Sequence, residues 1–344
     1  MGVHNRTIRR IIIGAVLPVG LALAVGACSS SARGEAESTN DTYTMRWALT
    51  TGDSYPSTIA AMRAAAAITK DTDGKIKASV YANGVLGEEG TAETDLLSGA
   101  TVQATVTVKM DDRCAETGLL ELPYMFQNLN QAFAGVDGSA AQQIYANCAA
   151  KGYAIPAVWD SGFRDILSKN PIKSLSDLQG LKLRVAACTI FDSAYEALGV
   201  KPSDLDKDQV YTALQQGVVD GVEFPVSDIY DSDFQEVDKN LAVINTLYGA
   251  DFVVVSEKWL QTLPTNLRAI VINDIKAQTT SERQLNAQQT NQDLKLMQQK
   301  YGVSVVYPNL SPFRAALQSF DKAEAKKLGI SLYNGILADA KSAN

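Results

Sequence analysis

The sequence predicts an α/β protein made of two units, each built on a parallel sheet, with one long helix running between them. Strand and helix patterns alternate twice along the 344 residues, which is the signature of βαβ units and parallel pairing. With 46% hydrophobic and 20% charged residues, the chain suits one large or two ordinary soluble domains. Between Pro264 and Gly302 no internal Pro or Gly interrupts a helical composition.

Met45, Trp47 and Leu49 alternate with polar neighbours and read as a first strand. The Ala-rich run Ser57 to Lys70 reads as a helix that Gly74 stops. Ile76 to Tyr81 is a second strand with Ile76, Ala78 and Val80 on one face. Glu88 to Leu97 then gives a helix, and Thr101 to Val108 a Thr/Val-rich strand after Gly99. The pattern returns with a strand at Leu181 to Ala186 and helices at Asp192 to Leu198 and Gln209 to Gln216. A strand at Val218 to Val222 follows, cut off by Pro225. Leu241 to Thr246 reads as the strand that crosses between the units. In the segment after Pro264, Leu267, Ile270, Val271 and Ile275 form an apolar stripe, whereas Gln278 to Asp293 is almost wholly polar. A polar helix of this kind bridges domains through solvent, spanning roughly 50 Å if continuous; two helices broken near Thr279 are the alternative.

Charge and histidine content exclude several functions. Lys and Arg total 31 against 38 Asp and Glu, a net charge of −7, which gives no basic face for nucleic acid. The single histidine is His4. It precedes an apolar run, Ile11 to Val25, that follows Arg6, Arg9 and Arg10 and closes on Val25, Gly26, Ala27 and Cys28. This pattern is that of a bacterial lipoprotein signal, cleaved before a lipidated Cys28; at about 15 residues the run is short of the roughly 20 needed to cross a bilayer. Residues 1–27 are thus expected to be a signal peptide and 28–41 a flexible tether. Loss of three Arg from the 31 basic residues leaves 28 against 38 acids, a net charge of −10. A mature chain without His has no Ser-His-Asp triad, Cys-His pair or His-ligated metal. No metal site or cofactor is expected, and neither a GxxxxGK[ST] loop nor a GxGxxG fingerprint occurs. Cys114, Cys148 and Cys188 allow one intrachain bridge; Cys114 with Cys148 is weakly preferred, and three buried thiols fit equally.

From Trp159 to Pro225 the run WDSGFRDILSKNPIKSLSDLQGLKLRV, then LGVKP, then QVYTALQQGVVDGVEFP resembles the solute-binding proteins of tripartite ATP-independent periplasmic (TRAP) transporters, the DctP-like family. YANGVLGEEG, LPYMF and SEKWLQTLP fall in the order which that family shows, so the resemblance spans Tyr43 to about residue 320. It implies a periplasmic-binding-protein-like fold with a ligand cleft between domains, domain I comprising 42–161 plus 250–289 and domain II 162–249 plus 290–344. It also implies a protein that performs no chemistry, closes around a small carboxylate ligand and delivers it to small and large TRAP membrane subunits. A monomer, lipid-anchored to the outer face of the cytoplasmic membrane, is the expected form.

An acidic protein repels anions through its overall field, so it needs a fixed cation deep in a cleft. Arg184, ending the apolar strand Leu181, Leu183 and Val185, is that candidate, because ligands bind at the carboxyl ends of such strands and a guanidinium grips a carboxylate by two parallel bonds. Arg164 matches a second family position near the ligand, with an interdomain ion pair as its alternative. Phe224 stands where the family usually has an Asn, so either the carboxylate is held differently or the ligand presents an apolar face there. Glu223 accepts a ligand hydroxyl or amine, or else a salt bridge within domain II. Tyr55 and Tyr248 occupy positions where relatives often carry His, and either lines the cleft or packs in the core. Thr107, Lys109 and Tyr211 are further candidates, and Phe191 adds to an aromatic wall with Phe224. The competing functions are a secreted carboxylate-dependent glycoside hydrolase and a ligand-sensing module for a membrane receptor.

Overall fold

The structure, a computed structural model, describes residues 41–343; the expected signal peptide, Cys28 and the tether up to residue 40 lie outside the described residues. The chain runs β1 (Tyr43–Ala48), α1 (Pro56–Asp71), β2 (Ile76–Tyr81), α2 (Glu89–Ser98) and β3 (Ala104–Thr107). Two short 3₁₀ turns lead to α3 (Leu129–Asp137), α4 (Ser139–Ala150) and the sixteen-residue β4 (Tyr153–Ser168). After it come β5 (Lys182–Val185), α5 (Thr189–Ala197), β6 (Lys201–Asp204), α6 (Lys207–Gln216), β7 (Gly221–Pro225), α7 (Val226–Asp231) and β8 (Asn240–Ala242). The chain ends with β9 (Tyr248–Ser256), α8 (Glu257–Leu260), α9 (Thr265–Ala277), α10 (Thr279–Tyr301), β10 (Ser304–Val306), α11 (Ser311–Leu328) and α12 (Ile330–Lys341).

The strands lie in the order β2-β1-β3-β9-β4-β7-β5-β6. Pairing is parallel for β1 with β2 and β3, and for β5 with β6 and β7, as the alternating strand and helix patterns predict. Between these two groups sit antiparallel neighbours, β9 against β3 and β4, and β4 against β7, so the sheet is mixed. The expected crossing strand Leu241 to Thr246 is only the three-residue β8, which pairs with β4 and β10. Instead β4 makes the passage. Its first part pairs with β9 and its last part with β7 and β8.

Pro156 and Gly162 argue against a strand here, yet β4 absorbs both in register shifts between Ala154 and Ala157 and between Asp160 and Gly162. Bulges are where a strand tolerates a missing donor or an unusual dihedral. Gly162 has φ +95°, a conformation that any side chain would strain.

On one face, α1 and α9 cover the first group of strands. Ala60, Ala61, Ala64 and Ile68 of α1 meet Met45, Trp47, Val253 and Val271, and small residues let the helix approach the sheet closely. Trp47 stacks on Trp159 with ring centroids 5.8 Å apart. A separate core of Val210, Leu214, Val222, Phe234, Leu241 and Met297 serves the second group. The long segment after Pro264 is two helices meeting at Gln278, which keeps right-handed helical dihedrals (φ −81°, ψ −17°). Polar α10 contacts α1, which covers the first group of strands, as well as β4 and α7, which follows β7. It packs through direct hydrogen bonds. Asn286 Nδ2 donates to Asp160 Oδ2 at 3.1 Å, Ser227 Oγ donates to Asn286 Oδ1 at 3.2 Å, and Glu282 Oε2 accepts from the Asp160 amide at 2.9 Å. Helix α12 lies on α3 and α4, so the last part of 290–344 rests on elements from the first half of the chain. Cys114 and Cys148 form the disulfide, with Cα atoms 5.5 Å apart, and Cys188 is a buried free thiol.

Candidate functional site

A cavity of ≈ 40 Å³ lies between the two groups of strands, walled by the loop after β1, the ends of β3 and β5, the start of α6, and β7. Arg184 reaches it from β5. The side chain is 3% exposed, its Nε donates to the Leu205 carbonyl at 3.0 Å, and its buried Nη1 has no hydrogen-bond partner. Among the described residues it joins no ion pair. Burial pulls its pKa down, partly countered by Glu223, which is the mark of a buried cation short of an anion. Phe224 lies flat beneath it, its ring centroid 4.3 Å from Arg184 Cζ.

Arg164 also lines the cavity, but its guanidinium is committed. Nε donates to Glu223 Oε2 at 2.5 Å and Nη2 to Oε1 at 3.0 Å, across the antiparallel pair β4 and β7. Burial opposes its charge, yet Glu223 outweighs this and holds its pKa above the usual arginine range. Glu223 is fully buried and takes a third donor, the Ala186 amide, at 2.8 Å. With these bonds Glu223 does not line the cavity, so the salt-bridge alternative describes it. Phe191, fully buried, backs Arg164 at 4.9 Å and stays outside the cavity wall.

Tyr55, at the N-cap of α1, lines the cavity with its hydroxyl 3.3 Å from Ser161 Oγ. Thr107 and Lys109 line it too. The Thr107 hydroxyl is 2.9 Å from Glu89 Oε2 and 2.7 Å from Glu93 Oε1, and Lys109 Nζ is 3.9 Å from Asp206. Besides Glu223 and Phe191, Tyr248 and Tyr211 also lie outside the cavity wall. Tyr248 packs edge-on against Phe126 and Phe163 in the same core as Ala250 and Phe252. Side chains alternate along a strand, so the cavity receives Asp251 of β9. Tyr211 sits at the edge of the core formed by Val210 and Leu214, with its hydroxyl 3.4 Å from Glu236.

The sequence reading missed Lys207, Asp228, Asp251, Glu88 and Glu89, which also line the cavity. Lys207 Nζ donates to Asp228 Oδ1 at 2.5 Å. Burial, then Asp228 and Glu89, raises the Asp251 pKa to about 8, so at neutral pH this carboxyl is a hydrogen-bond donor. The site thus offers one unpaired cation among several carboxyl and hydroxyl groups, an arrangement that takes a single anionic group together with a polyhydroxyl body.

Burial also raises Glu93 to about 7 and Asp165 of β4 to about 7. Such groups hold more protons folded than unfolded from about pH 4, the unfolded value, up to their folded pKa. Their contribution to stability is complete below that window and is lost as pH rises through the folded values. The ligand-free protein is therefore expected to melt at a lower temperature near pH 8 than near pH 5, measured by calorimetry; a melting point rising over this range would sink the assignment.

The sequence matches the family model of bacterial extracellular solute-binding proteins, family 7, over residues 48–327. Among curated proteins it is 27% identical over 260 residues to the C4-dicarboxylate-binding protein DctB of Bacillus subtilis, covering 75% of this chain and 74% of that one. Among solved structures it superposes with a TM-score of 0.84 and 26% identity on the sugar acid binding protein DctPAm from Advenella mimigardefordensis in complex with galactonate, covering 88% of this chain and 99% of that one. A TRAP periplasmic solute-binding protein from Bradyrhizobium sp. BTAi1, in complex with galacturonate, gives a TM-score of 0.82 and 28% identity, with coverage of 86% and 99%. The match over most of the described residues places the chain in the family of bacterial extracellular solute-binding proteins, family 7.

Proposed function

We propose that the protein captures a sugar acid between two lobes and delivers it to small and large TRAP membrane subunits, without catalysing a reaction. The observation that carries this reading is the buried, unpaired Nη1 of Arg184 at the cavity. A carboxylate supplies the missing anion, Phe224 offers a flat apolar surface to the C–H face of a sugar, and Asp251, Thr107 and Tyr55 supply donors and acceptors for hydroxyl groups. The relatives whose names include galactonate and galacturonate support the same class. Closure is a hinge motion on β4, with 42–161 plus 250–289 as one lobe, joined by α12, which packs on α3 and α4, and 162–249 plus the rest of 290–344 as the other. The mature protein acts as a monomer, tethered through a lipidated Cys28 to the outer face of the cytoplasmic membrane.

The test is a calorimetric titration of the protein with D-galactonate, D-galacturonate, succinate, benzoate and uncharged D-galactose. The acids with a polyhydroxyl body are expected to bind, and at about 100 times the dissociation constant to stabilise the fold by roughly 2.7 kcal/mol. Tighter binding of D-galactose than of either sugar acid would overturn the reading.

A further inference from the structure

Behind the bulge of β4 lies a second cavity, of ≈ 270 Å³, which shares only Ser161 with the cleft. Its walls come from β4, the junction of β7 and α7, the segment after β8 and one face of α10. No Lys or Arg lines it, whereas two carboxylates do, Asp160 and Asp165. Asp160 is engaged through both oxygens, Oδ1 accepting from the Gly162 amide at 3.0 Å and Oδ2 from Asn286 Nδ2 at 3.1 Å. Asp165 differs. Its side chain belongs to a residue only 3% exposed, and Oδ1 accepts from both the Ile244 and Asn245 amides at 2.9 Å. Its Oδ2 accepts no hydrogen bond from the described residues. The remaining wall is largely apolar, with Phe163, Val226, Val243, Leu294 and Tyr307.

A carboxylate removed from water without a counter-charge is costly. Here the backbone amides orient Asp165 but leave one oxygen for a donor. We propose that this cavity binds a small primary or secondary ammonium ion with an apolar body, the N–H donating to Asp165 Oδ2 and the hydrocarbon packing on Phe163, Val243 and Leu294. A bare metal ion fits less well, since calcium takes six to eight oxygen ligands and magnesium an octahedron, and no group of three or more His, Cys, Asp or Glu side chains suited to a metal exists among the described residues. The raised pKa of Asp165 agrees with a carboxylate that lacks its cation.

The experiment is a calorimetric titration of the full chain with 2-phenylethylammonium chloride near pH 8, with neutral 2-phenylethanol and sodium chloride as separate titrants. The ammonium ion is expected to bind about tenfold or more tighter than the alcohol, the usual advantage of a charge-assisted hydrogen bond, and sodium chloride is expected to give no saturable heat. Asp165→Asn keeps an oxygen for the two amides and is expected to weaken binding about tenfold or more. Ala287→Phe, on the α10 wall, fills the cavity from a helix without touching Asp165, and is expected to abolish binding; it decides the matter if the first variant does not fold. Equal affinity for the alcohol, saturable sodium binding, or full affinity in a folded Ala287→Phe variant overturns the proposal. So does an absence of saturable ammonium binding up to about 10 mM, or binding that disappears in Arg184→Gln, which would place the amine in the cleft.

Discussion

Arg184→Gln is expected to cost about 3 kcal/mol of binding, roughly a hundredfold or more in Kd for D-galactonate, while leaving the ligand-free protein as stable as before or more so. The two halves of this result have one cause. Arg184 is buried without an ion-pair partner, and its Nη1 is unsatisfied, so the ligand-free fold bears the desolvation of a charge that only a bound anion offsets. Gln keeps a donor but removes the charge. Titration calorimetry reads the affinity and scanning calorimetry the stability; an unchanged Kd, or a large drop in melting temperature, would contradict the role given to this residue.

Arg164→Met is expected to behave in the opposite way, destabilising the fold by about 3–5 kcal/mol because it strands the Glu223 carboxylate in the interior. That carboxylate accepts two bonds from Arg164 and one from the Ala186 amide, all within a region closed to solvent. In the double variant Arg164→Met/Glu223→Leu no charge is left stranded, and it is expected to recover much of the loss. The double-mutant cycle then shows strong coupling. Denaturant unfolding of the four proteins measures it, and a single Arg164→Met variant within about 1 kcal/mol of the parent would falsify the argument. Two arginines twenty positions apart, both on strands and both near Phe224, thus differ in whether a neighbouring strand brings them a carboxylate.

That difference was not legible in the sequence, because Glu223 faces Arg164 only through the pairing of β7 with β4. The elements β1, α1 and β2 were legible from alternation and an Ala-rich run, and Ile76–Tyr81 agrees to the residue. Strand β4 was not, since Pro156 and Gly162 read as breakers until bulges are known. Arg184 emerged from its place at the end of a short apolar strand within a family-like motif. Asp251 did not, as it sits before the apolar run Phe252 to Val255 and shows no motif of its own. Whether Tyr248 lines the cleft or packs in the core was not legible either, because register, and hence face, is set by partners distant in sequence.

The insertion of β9 between β3 and β4 governs the order in which the chain folds as it is made. Residues 43–168 contain β1 to β4, but β3 and β4 do not pair with each other; each pairs with a strand that begins at Tyr248. Until about eighty further residues have emerged, both present unpaired edges, which are templates for aggregation. The Cys114–Cys148 bond lies wholly before β4 and closes a local loop early, whereas the sheet waits for its last strand. A nascent chain held open in this way keeps these strand edges unpaired until its second half arrives.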